Sequence, residues 1–223
     1  MTDTPQDSVK ATYDTIAEHF AATREYAWPE VESFCASQQI QSPPDAESIG
    51  VDIGCGNGRH AETLFEQTSL DKIIGVDVSR ELLHTAQTRA TNRGFIDDLA
   101  LIQADAGSLP LESQSVSIVV YIATLHHLRS RRRRVASLSA VARVLESDGR
   151  ALISVWSTEH DQFERSNGFD TTIEWTLPDG TSIPRYYHIY DPVEFRSDLE
   201  SSALSIVETE ISSGNCYAVV ENN

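Results

Sequence analysis

Ser48-Ile49-Gly50-Val51-Asp52-Ile53-Gly54-Cys55-Gly56-Asn57-Gly58-Arg59 decides how the rest of this chain is read. An apolar run that reads as a strand enters three alternate glycines, and a helical pattern follows from His60 to Gln67. Glycines in a strand-to-helix turn take backbone angles that other residues resist, and they let the main chain pass close to a ligand. The dinucleotide fingerprint sets its third glycine three residues after the second. Arg59 stands there, which weakens a pyrophosphate reading. Asp52, just ahead of the first glycine, is placed to face a cationic or polar ligand. A tight turn alone would also select glycine, so the weight falls on what lies downstream.

Downstream, apolar runs repeatedly end in acids. Lys72-Ile73-Ile74-Gly75-Val76-Asp77 reads as a short buried strand, and Leu99 to Ala106 as another, with Asp105 near its end. In nucleotide-binding α/β folds an acid in the place of Asp77 accepts hydrogen bonds from a ribose diol. The competing role, capping the helix from Ser79 to Asn92, is already taken by Ser79. An acid and a backbone amide placed like Asp105 and Ala106 can read an adenine edge. Parallel strands gather such ends at one crevice, so Asp52, Asp77 and Asp105 together say more than any single motif. Val116 to Tyr121 and Ala151 to Trp156 read as fourth and fifth strands, the latter entered through a turn at Asp148-Gly149-Arg150.

Ahead of this core, Val9 to Phe20 reads as an amphipathic helix, and Pro29 starts a second that ends near Gln39. Ser42-Pro43-Pro44-Asp45 reads as a linker. The two helices either lid the sheet or bring Tyr13, Arg24 and Trp28 to a ligand. After the core, residues 157–190 are polar and irregular, with a hairpin signal around Pro178-Asp179-Gly180. Asp191-Pro192 starts a helix to about Leu204, and 205–210 and 216–220 read as two antiparallel strands.

The chain has 223 residues and a net charge of −17, and of its seventeen basic residues only Lys10 and Lys72 are lysine. Such an acid-rich, lysine-poor composition suits high salt, where the Debye length falls to about 3 Å at 1 M and self-repulsion is screened. Under those conditions the negative total no longer argues against nucleic acid. Cys35, Cys55 and Cys216 lie far apart, which speaks against a disulfide framework or zinc site and for a cytoplasmic chain. No apolar run is long enough to span a membrane. Arg129-Ser130-Arg131-Arg132-Arg133-Arg134 opposes the overall sign. The run reads either as a solvated helix start, awkward because cations there oppose the helix dipole, or, the preferred expectation, as a basic spot beside the crevice for RNA phosphates.

The strand, glycine turn and spaced acids over 48–155 resemble the core of the class I S-adenosylmethionine-dependent methyltransferases. The resemblance implies a Rossmann-like α/β fold with a seven-stranded, mostly parallel sheet and helices on both faces. It implies one domain over 1–223: a helical lid (1–40), a cofactor core (48–155), a substrate-side insertion (157–190), and a closing helix with antiparallel strands (191–223). S-adenosylmethionine is the implied cofactor. Asp52, Gly54, Gly56 and Asn57 would meet its methionine part, Asp77 its ribose, and Asp105 and Ala106 its adenine. Tyr13, Arg24, Cys55, Val78, Ile122 and His127 would complete that site, with no metal.

A second resemblance covers more of the chain. Tyr13-Asp14-x-Ile16-Ala17-x-His19-Phe20-x-x-Thr23-Arg24 with Trp28-Pro29, Leu125-His126-His127 before Arg132-Arg133-Arg134-Val135, Ala151-Leu152-Ile153-x-Val155-Trp156 and Arg185-Tyr186-Tyr187-His188 are similar to the tRNA wobble-uridine carboxymethyl methyltransferases. This implies esterification of the carboxylate of 5-carboxymethyluridine at position 34 of tRNA, together with a small zinc-binding activator subunit. Residues 157–184 are short for that family. A carboxylate is already ionised at neutral pH and needs no general base. The expected substrate-orienting residues are therefore Arg24, His126, Arg185, Tyr187 and His188, any arginine leaving one carboxylate oxygen free. If the strand order follows the family, Leu99 to Ala104 is an apolar sheet edge open to strand addition by the activator. A small-molecule methyltransferase, of quinone-biosynthesis or carboxylic-acid type, and a non-catalytic cofactor-binding subunit remain the alternatives.

Overall fold

The computed structural model describes residues 5–38 and 47–222. A seven-stranded sheet carries the chain, in the order β3-β2-β1-β4-β5-β9-β8. β1 (Ile49–Ile53), β2 (Lys72–Asp77), β3 (Leu99–Gln103), β4 (Val116–Ile122) and β5 (Leu145–Trp156) are parallel to their neighbours, and β8 (Leu204–Ser212) and β9 (Asn215–Asn222) close the sheet antiparallel. This is the expected Rossmann-like α/β sheet. β1 and β4 are buried almost throughout, as central parallel strands must be when helices cover both faces. Their apolar residues divide between two cores, one holding Val51, Val119, Tyr121 and Ile153, the other Ile118, Val120, Leu152 and Tyr217.

Local signals explain the helices. α4 (Arg80–Arg93) starts where Ser79 Oγ accepts the Leu82 N–H at 3.1 Å and stops at Gly94, which turns left-handed. Asp14 of α1 (Pro5–Ala22) accepts from Ser79 Oγ at 2.7 Å and from Glu81 N at 3.3 Å, docking α1 on that helix start. α2 (Pro29–Ser37) opens on its proline, and α3 (Arg59–Gln67) follows the glycine turn. α5 (Arg131–Val144) leads directly into β5, and α6 (Pro192–Glu200) is capped by Asp191, whose side chain accepts from Val193 N and Glu194 N.

Several boundaries differ from the sequence reading. β3 ends at Gln103, so Asp105 lies beyond it; Ala104 N–H makes the last ladder bond, to the carbonyl of Asp77. The Asp148-Gly149 turn is an irregularity inside β5, where the register with β4 jumps between Val116 and Ile118. α6 stops at Glu200, a turn bonding Ser202 N to Leu199 O follows, and Leu204 pairs with Asn222. The hairpin in 157–190 is longer than expected: β6 (Phe169–Thr176) pairs with β7 (Ser182–Ile189) around a turn that bonds Gly180 N to Leu177 O. The Ser42–Asp45 linker and the expected helix end at Gln39 lie outside the described residues. Among the described residues no helix is long and apolar enough to cross a membrane.

Candidate functional site

A cavity opens at the carboxyl ends of β1, β2 and β4, the crevice at which such sheets bind ligands. Its floor is the glycine turn. Gly54 N and Cys55 N donate to the Val76 carbonyl at 2.7 and 3.0 Å, stitching the turn to β2. Gly54 has φ of 71°, and a Cβ there would lie 2.1 Å from Thr124 Oγ1. Gly56 has φ of 54°, and its N–H donates to Asp77 Oδ2 at 2.9 Å. The other Asp77 oxygen accepts from Ser79 N at 2.8 Å. Asp77 thus braces the turn, and burial pushes its carboxyl up to about 6.

Asp52 sits behind this floor at 1% exposure, and neither of its oxygens has a hydrogen-bond partner. Burial, and then the nearby charge of Asp77, raise its pKa to about 7, with Arg59 acting in the opposite direction. Cys55, Asn57, Val78, Ala106 and Ile122 line the cavity. The Asn57 amide is engaged by the carbonyls of Ala21 and Arg24, so it ties the end of α1 to the turn.

The opposite wall is built from β4, α1 and the hairpin. His126 Nδ1 accepts the Trp156 N–H at 3.1 Å, while its Nε2 is buried without a partner. His127 Nδ1 meets the Tyr186 carbonyl at 2.9 Å, so it carries the proton, and Nε2 accepts from the Tyr13 hydroxyl at 2.8 Å. Burial holds His127 down at about 4 and His126 well below the ordinary imidazole range. Both rings are neutral at physiological pH. Arg185 lies against the rings of Trp175 and Tyr187, its Cζ 4.8 and 5.2 Å from their centroids, and its buried Nε has no partner. Arg24 stacks on Phe20 and on the same Trp175. Among the described residues neither arginine has a carboxylate partner within ion-pair distance.

The structure corrects three expectations. His188 does not face the cavity: Nδ1 is 2.8 Å from Asp170 and Nε2 2.9 Å from Glu194. Side chains alternate along a strand, so Arg185 and Tyr187 point one way and His188 the other. Three of the five arginines in the run are not a free basic spot; exposed Arg129, over the Tyr186 ring, and exposed Arg132 have no ion pair among the described residues. Arg131 pairs with Asp198, buried Arg134 with Glu194 and Asp198, and Arg133 with Asp105. Acids from α6 and Asp105 thereby offset the unfavourable placement of cations at the start of α5. Asp105, on the cavity wall, is consequently not a bare carboxylate; it also accepts from Gly107 N at 2.9 Å.

Trp175, Trp156, Arg59 and Thr124 also line or close the cavity, and sequence reasoning did not single them out as site residues. Trp175 was legible only through the hairpin register, which sets it across from Ile183 on the face that carries Arg185 and Tyr187.

A methyltransferase-domain family model matches residues 51–153. The tRNA (carboxymethyluridine(34)-5-O)-methyltransferase of Saccharomyces cerevisiae is 33% identical over 184 residues; the match covers 81% of this chain and 60% of that protein's length. The protein of the same name from Schizosaccharomyces pombe is 28% identical over 238 residues, covering 96% of each chain. Among solved structures, a chain of the complex between the Haloferax volcanii Trm112 methyltransferase activator and a methyltransferase superposes with a TM-score of 0.71. That match covers 96% of this chain and 97% of the other, at 17% identity.

Proposed function

We propose, for a chain that belongs to the class I S-adenosylmethionine-dependent methyltransferases, that it methylates the carboxylate of a 5-carboxymethyl group on the wobble uridine of tRNA. The observation that carries this reading is the polarity of the inner wall. His126 Nε2–H and Arg185 Nε–H are buried donors without partners, and the neighbouring histidines are neutral. Unsatisfied buried donors favour an anionic acceptor. With a pKa near 4, His127 is a poor proton acceptor, as methylation of an amine or phenol would demand. A carboxylate has no proton to lose.

The floor fits S-adenosylmethionine, which supplies an electrophilic methyl group on a sulfonium centre when bound. Asp52, buried behind the floor and outside the cavity lining, sets an acid beneath the methionine part, Gly54 and Gly56 leave the turn free of side chains, and Asp77 lines the side where we place the ribose diol. Asp105 and Ala106 are then at the adenine, and Tyr13 and Arg24 close the site from α1. On the substrate side, Arg185 and His126 each offer one donor and leave an attacking carboxylate oxygen free. Orientation of that oxygen supplies much of the rate, in the best cases roughly 7–11 kcal/mol.

The names of the two yeast relatives support tRNA as the substrate. We take the partner to be a small zinc-binding activator; an activator as such is supported by the Haloferax complex, whose methyltransferase chain has this fold, and by β3, which among the described residues is a sheet edge bonded only to β2. An apolar edge of this kind accepts a further strand. The acid-rich, lysine-poor surface suits a halophilic cytoplasm and leaves the partner to bring positive charge to the RNA.

The test incubates the protein, with and without activator and in high salt, with methyl-labelled S-adenosylmethionine and tRNA lacking the wobble ester. Label on uridine-34 that mild base releases is the expected result. Base-stable label, or cofactor binding with no transfer to any tRNA, would overturn it in favour of a small-molecule acceptor.

A further inference from the structure

Aromatic rings continue outward from the cavity along the segment between β5 and β6. Tyr187 and Trp156 have centroids 4.9 Å apart, and both line the cavity. His160 stacks on Trp156 at 5.8 Å and 21°, Phe163 lies 5.9 Å from His160, and Phe169 lies 5.5 Å from Phe163. Arg165 caps the row with its Cζ 4.7 Å over Phe169. Short turns hold the row in place: His160 N donates to Ser157 O, Phe163 N to His160 O, and Gln162 N to His160 Nδ1. The His160 ring also rests on Gly214, where a Cβ would come within 2.5 Å of it. His160, Phe163 and Phe169 are each only half-buried, so the row presents ring surface to solvent beside the cavity mouth.

We infer that His160, Phe163 and Phe169 form a stacking platform for the unpaired RNA bases adjoining the nucleotide held in the cavity. The inference rests on the tRNA reading above and adds where the neighbouring nucleotides go. Single-stranded RNA is gripped by stacking its bases on aromatic faces, which every base can do. Charge is set against that work along this row: Arg131, Arg133 and Arg134 are engaged in internal ion pairs, and Glu159, Asp161 and Glu164 stand exposed around it. Stacking is the mode left to a surface of this sign, and the row starts at a residue of the cavity wall, so a strand leaving the cavity meets it first.

The test uses an anticodon stem-loop RNA with 2-aminopurine beside the target uridine, and compares the full chain with Phe163→Leu and Phe163→Trp, each with its activator. Leucine keeps apolar packing but removes the π-face; tryptophan restores it. The expected result is quenching of 2-aminopurine by the unmodified chain and by F163W. F163L is expected to lose that quenching and to raise KM for the RNA about tenfold, with kcat and S-adenosylmethionine affinity unchanged. Equal quenching and KM in F163L, while the unmodified chain still methylates the RNA, would overturn the platform alone. Absence of methylation of any RNA by the unmodified chain would overturn the tRNA reading and the platform with it.

Discussion

His126 Nδ1 accepts the backbone N–H of Trp156 at 3.1 Å, and this one bond fixes the chemistry of the inner wall. A neutral imidazole that accepts through one nitrogen carries its proton on the other. Nε2–H is therefore a buried donor, set by strand β5 before any ligand arrives. His126→Asn keeps an acceptor for Trp156 and, being shorter, places no donor where Nε2–H stands. Methyl transfer is expected to fall about 10- to 100-fold, the worth of a hydrogen bond to a charged group. Cofactor affinity should hold. Single-turnover rates and calorimetry separate the two.

Asp52 gives stability a pH dependence of unusual sign. Its folded pKa is raised to about 7, against an ordinary value near 3.9 in the unfolded chain. Between those values the native state binds more protons than the unfolded state, so stability falls as pH rises through that window and levels off above it. Asp77, raised to about 6, acts in the same direction. Asp52→Asn should raise Tm by several degrees at pH 8, with the gain vanishing below pH 4, and should weaken S-adenosylmethionine binding. Thermal unfolding across pH checks the first effect and titration calorimetry the second.

The arginine run divides sharply by role. Arg134 is 3% exposed, paired with Glu194 and Asp198, and lies over the Tyr190 ring. Arg134→Ala removes a buried cation shared by two acids, Asp198 keeping Arg131 and half-buried Glu194 keeping His188. It should cost less than a buried charge left bare, about 3–5 kcal/mol, but clearly more than a surface change. Arg132, exposed at the start of α5, should change stability by no more than about 0.5 kcal/mol when replaced by alanine. Urea unfolding at pH 7 distinguishes them.

Strand addition at β3 has its own signature. Pairing with β2 satisfies one side of Leu99–Gln103, and among the described residues the other side is open. Addition of the activator should slow hydrogen exchange at the outward amides of this strand while those of β4, inside the sheet, are unchanged. Unaltered exchange across β3 in the complex would place the partner elsewhere.

Much of the fold was legible because its signals are local. Val51 to Ile53, Ile73 to Val76 and Val116 to Tyr121 read as buried parallel strands from their apolar runs alone, and Ser79 and Asp191 announced helix starts through capping chemistry. The glycine turn and the acids at 52 and 77 followed, since parallel strands must bring such ends together. What the sequence left open depended on partners distant in the chain. Arg131, Arg133 and Arg134 looked like a free basic surface until Asp198, Asp105 and Glu194 arrived from other elements to neutralise them. Arg185 and His188 stood together in one motif until the pleat of β7 sent them to opposite faces. The sequence by itself determined which segments become strands and helices and where the cofactor crevice opens, because short-range periodicity and turn chemistry suffice for that. Only the tertiary structure decided which charges remain available and which nitrogen of His126 holds the proton, because a charge or a tautomer is set by whatever group lies within about 4 Å, and sequence order does not say which group that is.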